Sequence, residues 1–564
     1  MPTIDVSYKD LCRLVGKNIP LKELKEKAIL FAKSEIADSE GDLLKVEVAD
    51  TNRPDLWSAE GIAREIQGRY TLKSGLPKYT VKSSGLKVIV DKSVASIRPL
   101  TVCAVVSGLR INAQVLGQLI QLQEKLCENY GKKRKEVAIG VYDYQKIHRP
   151  IFYKAFAPHA LKFVPLDFDT PLDLLQILQQ HPKGREYAHL LDGCNAYPVF
   201  IDSAGQVLSM PPIINSDHTG KVTEKTKTVF IECSGFDLAY LVPALQVVVA
   251  ALVERGGKAE SVEICYEKKK MITPDFTPGK MQIGKKQVIQ LFGTSVSDKK
   301  IIELLSMARY DATVKGENIE VLYPAYRHDI MHPVDIIEDI LISEGFNEIA
   351  PVMPMIGTIG CIARKERLAR KVREIMISLQ CQEIMSYVLT NLESLYDNMN
   401  LPRTLAKDAL KYIEIDNPVS NNWSVFRNWL LPSIMEFLSR NTKRQYPQRI
   451  FEIGEVVLFK KDAETRSENP LRIAYASASA ETNYTEAKQA LDFLLDSLKL
   501  QYEVIPAEHL SFIPGRVGRI IVKGKKVGFL GEIHPQVLKS WNLEMPVAGF
   551  ELNLTELLDD VELG

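Results

Sequence analysis

Apolar positions along this chain switch between two rhythms. From Leu21 to Lys33 (LKELKEKAILFAK) they recur at helical spacing. An extended VEVADTNRPDL segment follows, then a second helical stretch near 59–68. This pattern predicts a small α/β unit over residues 1–85. From Leu86 the rhythm shortens. LKVIV, TVCAVVSGL, VAIGVYDY, YPVFIDSAGQVLSM and KTVFIECSG read as strands rich in β-branched residues, between helical stretches near 114–129 and 238–254. They predict a mixed α+β domain over 86–268. Lys268-Lys269-Lys270 lies in a linker-like stretch before a third unit, 271–352, and GTIGC at 357–361 makes a second break. A charged helical run at 363–380 then leads into alternating strands and helices, an α+β domain over 360–564. The chain shows no fixed-period repeat.

Length agrees with that multidomain α+β reading: 564 residues suggest roughly four domains. Hydrophobic content of 46% and charged content of 25% are those of an ordinary globular protein. Lys plus Arg and Asp plus Glu both number 71, so no protein-wide basic field exists to condense onto nucleic acid, and any RNA contact needs a local patch. No two of the eight cysteines are closer than 20 residues, which excludes a CxxC metal or redox pair. Isolated thiols and a polar N-terminus predict a reducing, cytoplasmic setting. The longest apolar stretch, Leu238–Val253, has 16 residues and carries Pro243 and Gln246, too short to span a bilayer.

Gly279–Lys286 (GKMQIGKK) falls one hydroxyl short of a phosphate-binding loop, because Lys286 stands where Ser or Thr would hold Mg²⁺. A basic turn is the better reading. The densest constellation runs from Tyr326 through Arg327, His328 and Asp329 to Pro333, Asp335, Glu338 and Asp339. Pro333 suits the first turn of a helix. Asp335, Glu338 and Asp339 would then share one face, with Asp329 folding back over the helix start. Four carboxylates in this arrangement form a hard oxygen site suited to Mg²⁺. Acids complementing the helix dipole would explain Asp335 equally well, but they leave Glu338 and Asp339 side by side.

A second stretch, GQVLSMPPIINSDHTGKVT at 205–223, places a double proline before a polar turn. The following strand puts Glu232 and Ser234 on one face, beside an apolar wall. A carboxylate and a hydroxyl there could take a small polar aromatic ligand; an ordinary hairpin with solvated polar residues is the plain alternative. Lys132-Lys133-Arg134-Lys135, next to Tyr130, is a short basic patch able to touch a phosphate backbone.

Together these stretches resemble the β subunits of phenylalanyl-tRNA synthetases, of the archaeal and eukaryotic type. The likeness rests on Asn52-Arg53-Pro54-Asp55-Leu56 with Glu60-Gly61, on Val207–Asn215 (VLSMPPIIN), and on the acidic helix closed by Glu344-Gly345-Phe346-Asn347-Glu348-Ile349. Phe426-Arg427-Asn428-Trp429, Phe451-Glu452-Ile453-Gly454 and Phe512-Ile513-Pro514-Gly515-Arg516 complete it in family order. The resemblance implies an N-terminal α/β domain, an editing domain at 86–268 and a small winged-helix-like, metal-bearing domain at 271–352. It implies a C-terminal class II synthetase-like antiparallel domain at 360–564 that lacks catalytic residues, since Trp429 stands where an ATP-clamping Glu would be. It also implies a phenylalanine–tRNA ligase whose synthetic centre, with ATP and phenylalanine, lies on a partner α subunit in an α2β2 heterotetramer. The partners are then that subunit and tRNA(Phe), with no membrane. The family's Mg²⁺ ligands fall on Asp329, Asp335, Glu338 and Asp339, and an editing pocket for mischarged Tyr-tRNA(Phe) would use Glu232 and Ser234. An apolar pocket rejects an added hydroxyl poorly, which is why a second, hydrolytic sieve is expected. Two alternatives stand beside this: a free-standing tRNA-binding or editing factor, and a metal-dependent hydrolase using the four carboxylates with His328 or His332 as base.

Overall fold

The structure, a computed structural model, describes residues 2–71, 73–404 and 412–562. The chain folds as two compact units divided after Met353. The first three units expected from the sequence thus form one body. Ile4, Val46, Ile62, Val88, Val248 and Val262 belong to one continuous buried core, so the apolar face of the N-terminal unit is covered by its neighbour rather than closed on itself.

Within this first unit, Thr3–Ser7, Leu43–Val48 and Ser34–Glu40 form a three-stranded antiparallel sheet in that order. Helices Tyr8–Val15 and Ala59–Tyr70 pack together beside it. A ten-stranded mixed sheet dominates the unit. Its end nearest the site has the order Lys258–Cys265, Leu100–Ser107, Val229–Gly235, Val137–Asp143. The strand Val229–Gly235 is fully buried, flanked on both sides by antiparallel partners, with Glu232 opposite Cys103 and Gly140. The apolar helix Leu238–Glu254 packs on it and on Leu100–Ser107. Asp237 starts that helix by accepting the Ala239 N–H at 2.8 Å.

A smaller three-stranded sheet, Gly279–Gly284, Asn318–Tyr323 and Asp311–Lys315, carries helices Lys285–Phe292, Asp298–Met307 and Pro333–Glu344 around its own core of Ile283, Leu304, Ile337 and Ile340. GKMQIGKK is thus a strand leading into a helix. The segment docks closely on Ala59–Tyr70: a Cβ at Gly68 would lie 2.3 Å from the Met307 carbonyl oxygen, so only glycine permits the approach.

The second unit is built on a seven-stranded sheet, antiparallel except for the short edge strand Gln382–Glu383. Side chains alternate between its faces with a period of two. Tyr475 packs with Val372 and Leu491 of helices Arg364–Ser378 and Tyr484–Ser497, whereas Ala474 and Ala476 pack with Trp429, Ile434 and Phe512. The arginine of Phe426-Arg427-Asn428-Trp429 is engaged internally. Its Nη1 donates to Glu452 Oε1 at 2.7 Å, and Trp429 is buried.

Candidate functional site

Two sites named from the sequence lie in the first unit. The first is a cavity of about 410 Å³ beside the ten-stranded sheet. Its walls include Leu116 and Ile120 of helix Ala113–Lys125, Ala138 of the strand Val137–Asp143, and the Pro211–Pro212 turn; Glu232 closes it.

Glu232 is 2% exposed. Its Oε1 lies 3.1 Å from the Tyr142 hydroxyl, and its Oε2 has no hydrogen-bond partner. Burial pushes the carboxyl up to about 8; the Tyr142 hydrogen bond, the Arg98 charge and the Ser234 hydroxyl offset only part of that rise. At neutral pH the group therefore carries its proton and can donate as well as accept.

Ser234 shares Glu232's face of the strand, as the spacing predicts, but it does not line the cavity. Its Oγ accepts from Arg98 Nε at 3.1 Å. Arg98, also buried, donates on to the carbonyls of Lys135 and Arg134, each at 3.1 Å. Arg134 Nη1 in turn donates to the carbonyls of Pro212 at 3.2 Å and Ile213 at 2.8 Å. Ser234 is thus tied to the proline wall through two arginines.

Several functional candidates at this cavity are missed by sequence reasoning. Ser209 and Gln123 line it beside Asn215 of the polar turn expected there, and Tyr142 lies behind Glu232. The run Lys132-Lys133-Arg134 is more than a solvated patch: all three residues have positive φ, 49°, 54° and 64°, and Arg134 faces inward to hold the wall. A charge run gives no sign of such a bend. The alternation of VAIGVYDY does place Gly140 and Tyr142 on Glu232's side of the sheet.

The second site is the acidic segment. Arg327, 2% exposed, donates from Nε and Nη2 to both oxygens of Asp329 at 2.8 Å, and from Nη2 to Asp339 Oδ2 at 2.7 Å. Tyr310 also donates to Asp339 Oδ2. Arg53, itself paired with Asp55 and Glu65 at 2.8 Å, stands 3.8 Å from Asp329. Burial would raise the Asp329 carboxyl, but Arg327 and Arg53 hold it well below the usual carboxylate range. Asp335 folds back on the helix start and accepts the N–H groups of Met331 at 2.8 Å and His332 at 2.7 Å. Glu338 is exposed and sits 3.2 Å from Lys33 Nζ, which also reaches Asp50 at 2.7 Å.

The expected Mg²⁺ ligands Asp329, Asp335, Glu338 and Asp339 thus each carry a partner within this chain. A guanidinium already bridges Asp329 and Asp339, and backbone N–H groups hold Asp335. Among the described residues no three His, Cys, Asp or Glu side chains are disposed to hold a metal ion. His332 caps the helix through the Val334 N–H at 3.2 Å, and His328 lies outside it, packed edge-on against Tyr130, so neither forms a hydrolase centre with the carboxylates.

The chain carries the domains of an aminoacyl-tRNA synthetase. Residues 281–346 match the "tRNA synthetase B5 domain", and residues 335–554 match the "Phenylalanyl tRNA synthetase beta chain CLM domain". The phenylalanine–tRNA ligase β subunit of Thermococcus kodakarensis is 45% identical over 570 residues, covering 99% of both chains. That of Pyrococcus abyssi is 46% identical over 561 residues, covering 99% of this chain and all of the relative. A solved N-terminal fragment of the phenylalanyl-tRNA synthetase β subunit from Pyrococcus horikoshii, 46% identical, superposes with a TM-score of 0.59 and covers 61% of this chain and all of the fragment. The chain belongs to the family of phenylalanyl-tRNA synthetase β subunits. These relatives match it end to end as β subunits, which disfavours a free-standing editing factor. Among the described residues no helix is long and apolar enough to cross a membrane.

Proposed function

We propose that this chain works with an α subunit, as an α2β2 heterotetramer in the cytoplasm, to attach phenylalanine to tRNA(Phe) using ATP, and that its own chemical task is to clear Tyr-tRNA(Phe). ATP, phenylalanine and the synthetic centre belong to α in this reading. The C-terminal unit is a class II synthetase-like scaffold whose Arg427 is consumed by Glu452 instead of a nucleotide. The segment at 271–352 is the small winged-helix-like domain.

One observation supports the proofreading role above all: a buried carboxyl whose Oε2 has no hydrogen-bond partner, set in a mostly apolar cavity. A tyrosyl ring hydroxyl entering there gains a partner, whereas a phenylalanyl ring leaves Glu232 Oε2 unpaired. An unmet buried polar group costs roughly 1–3 kcal/mol, so the mischarged product is favoured. His181 also lines the cavity, but its Nδ1 accepts the Lys183 N–H and its Nε2 meets the Leu166 carbonyl, each at 3.1 Å, and hydrolysis in this reading uses a water oriented by the bound aminoacyl ester.

The proposal confines Mg²⁺ to the assembled complex. Glu338 is the exposed carboxylate this chain can offer to an ion whose remaining ligands come from α and water. Metal analysis of the intact complex, with and without Glu338→Gln, tests this; equal metal content in both removes Glu338 from the site. The functional reading is tested by assaying α alone, this chain alone and the assembly. Charging of tRNA(Phe) is expected only from the assembly, and faster release of tyrosine than of phenylalanine from charged tRNA(Phe). Charging by this chain alone overturns it.

A further inference from the structure

The residue behind Glu232 carries a role that the cavity's outline does not reveal. Tyr142 is fully buried on the strand Val137–Asp143, opposite Phe230, while Gly140 stands opposite Glu232. Its ring lies back along the sheet over Gly140. A Cβ there would fall 2.1 Å from the Tyr142 hydroxyl oxygen and 2.5 Å from Cζ, so the missing side chain makes the space. The hydroxyl ends 2.7 Å from Ser209 Oγ and 3.1 Å from Glu232 Oε1. A phenol has one proton to give, so when it donates to Glu232 it accepts from Ser209. Both partners line the cavity.

Core packing alone does not account for this hydroxyl. The ring packs with Phe230 at 5.7 Å between centroids, and phenylalanine would fill the same volume. Burying a hydroxyl is costly unless it is paired, and its two partners are both cavity groups. We propose that Tyr142 is a positioning residue for substrate selection: its hydroxyl, shared between Ser209 and Glu232 Oε1, fixes the carboxyl with Oε2 unclaimed, ready for an aminoacyl ring that bears a hydroxyl. The protein's own phenol takes one carboxyl oxygen and the substrate's phenol takes the other. This rests on the proofreading reading above and adds the group that makes Glu232 selective rather than merely polar.

The test is Tyr142→Phe in the assembled enzyme, with Tyr-tRNA(Phe) and Phe-tRNA(Phe) as substrates for deacylation. The Tyr-over-Phe ratio of kcat/KM is expected to fall about tenfold, the worth of one hydrogen bond to an ionisable group, mainly through a higher KM for Tyr-tRNA(Phe). The melting temperature should stay within a few degrees. A second readout separates positioning from packing. The Tyr142 hydrogen bond favours ionised Glu232, so its loss should move the Glu232-governed limb of the pH profile to higher pH. The other groups around Glu232, namely Arg98, Tyr153, Cys103, Cys127 and Cys233, are untouched. Ser209→Ala should lower the ratio in the same direction by a smaller factor. A wild-type ratio and pH limb in Tyr142→Phe overturn the proposal while leaving proofreading intact. Absence of any Tyr preference in the wild-type enzyme overturns both.

Discussion

Two buried acidic sites in the same unit reach opposite electrostatic states. Asp329 and Asp339 lie around a guanidinium, and Asp329 is held ionised far below the ordinary carboxylate range. Glu232 is as deeply buried, but its nearest partners are hydroxyls, and it rises to about 8. Burial raises both carboxyls; the presence or absence of a contacting cation decides the outcome. In the paired site a guanidinium takes both oxygens of Asp329 and one of Asp339. The unpaired site keeps an oxygen for a ligand. In this protein, chemical readiness marks the carboxyl that the fold left unmatched, not the place where carboxylates are densest.

Breaking the paired site gives the largest expected effect. Arg327→Met strands Asp329 and Asp339 in the interior, and the full chain should lose about 3–5 kcal/mol in urea unfolding. A loss below about 1 kcal/mol would mean that the acidic segment is held by something other than this guanidinium. The pH dependence of stability should sharpen the contrast, because the two sites have opposite sign. Glu232 in the folded chain keeps its proton between about pH 4.5 and 8 while the unfolded chain gives it up. Its contribution is full below pH 4.5 and declines as pH rises to 8, by up to about 1.4 kcal/mol per pH unit. Glu232→Gln should flatten that decline. Asp329, lowered in the folded chain, contributes above its unfolded value and is lost as pH falls through the acid range; Asp329→Asn should remove that limb. Thermal melts from pH 3 to pH 9 read both, and matching slopes in wild type and variants would contradict the comparison. The smallest effect is at Ser234. Ser234→Ala removes one acceptor from Arg98 and a hydroxyl that favours ionised Glu232; it should cost about 1 kcal/mol in stability and move the Glu232-governed limb of the pH profile to slightly higher pH, with Tyr-over-Phe selectivity in deacylation changed less than twofold. A large loss of selectivity would return Ser234 to the cavity.

Glu232 was legible in the sequence because a strand has a period of two and a double proline fixes a neighbouring wall. Ser234 followed from the same period, yet its role did not, because Arg98 stands 136 residues away and meets it only in the fold. The partners of the acidic segment were hidden for a related reason. Arg327 stands in the same stretch, but its pairing with Asp339 across the helix start is not visible in the spacing, and no local pattern brings Lys33 and Arg53 from the N-terminal unit to the same place. Tyr142 was hidden because an aromatic residue in a strand reads as core; only the absent side chain at Gly140 shows where its ring lies.

The central claim, that the unmatched carboxyl selects the mischarged product, is tested most directly by Glu232→Ala in the assembled enzyme. Phenylalanine charging should stay within about twofold of wild type, and the kcat/KM for deacylation of Tyr-tRNA(Phe) should fall at least about tenfold, so that Tyr-tRNA(Phe) accumulates when tyrosine is supplied in excess. Clearance of Tyr-tRNA(Phe) at the wild-type rate would contradict the account and place the proofreading pocket elsewhere.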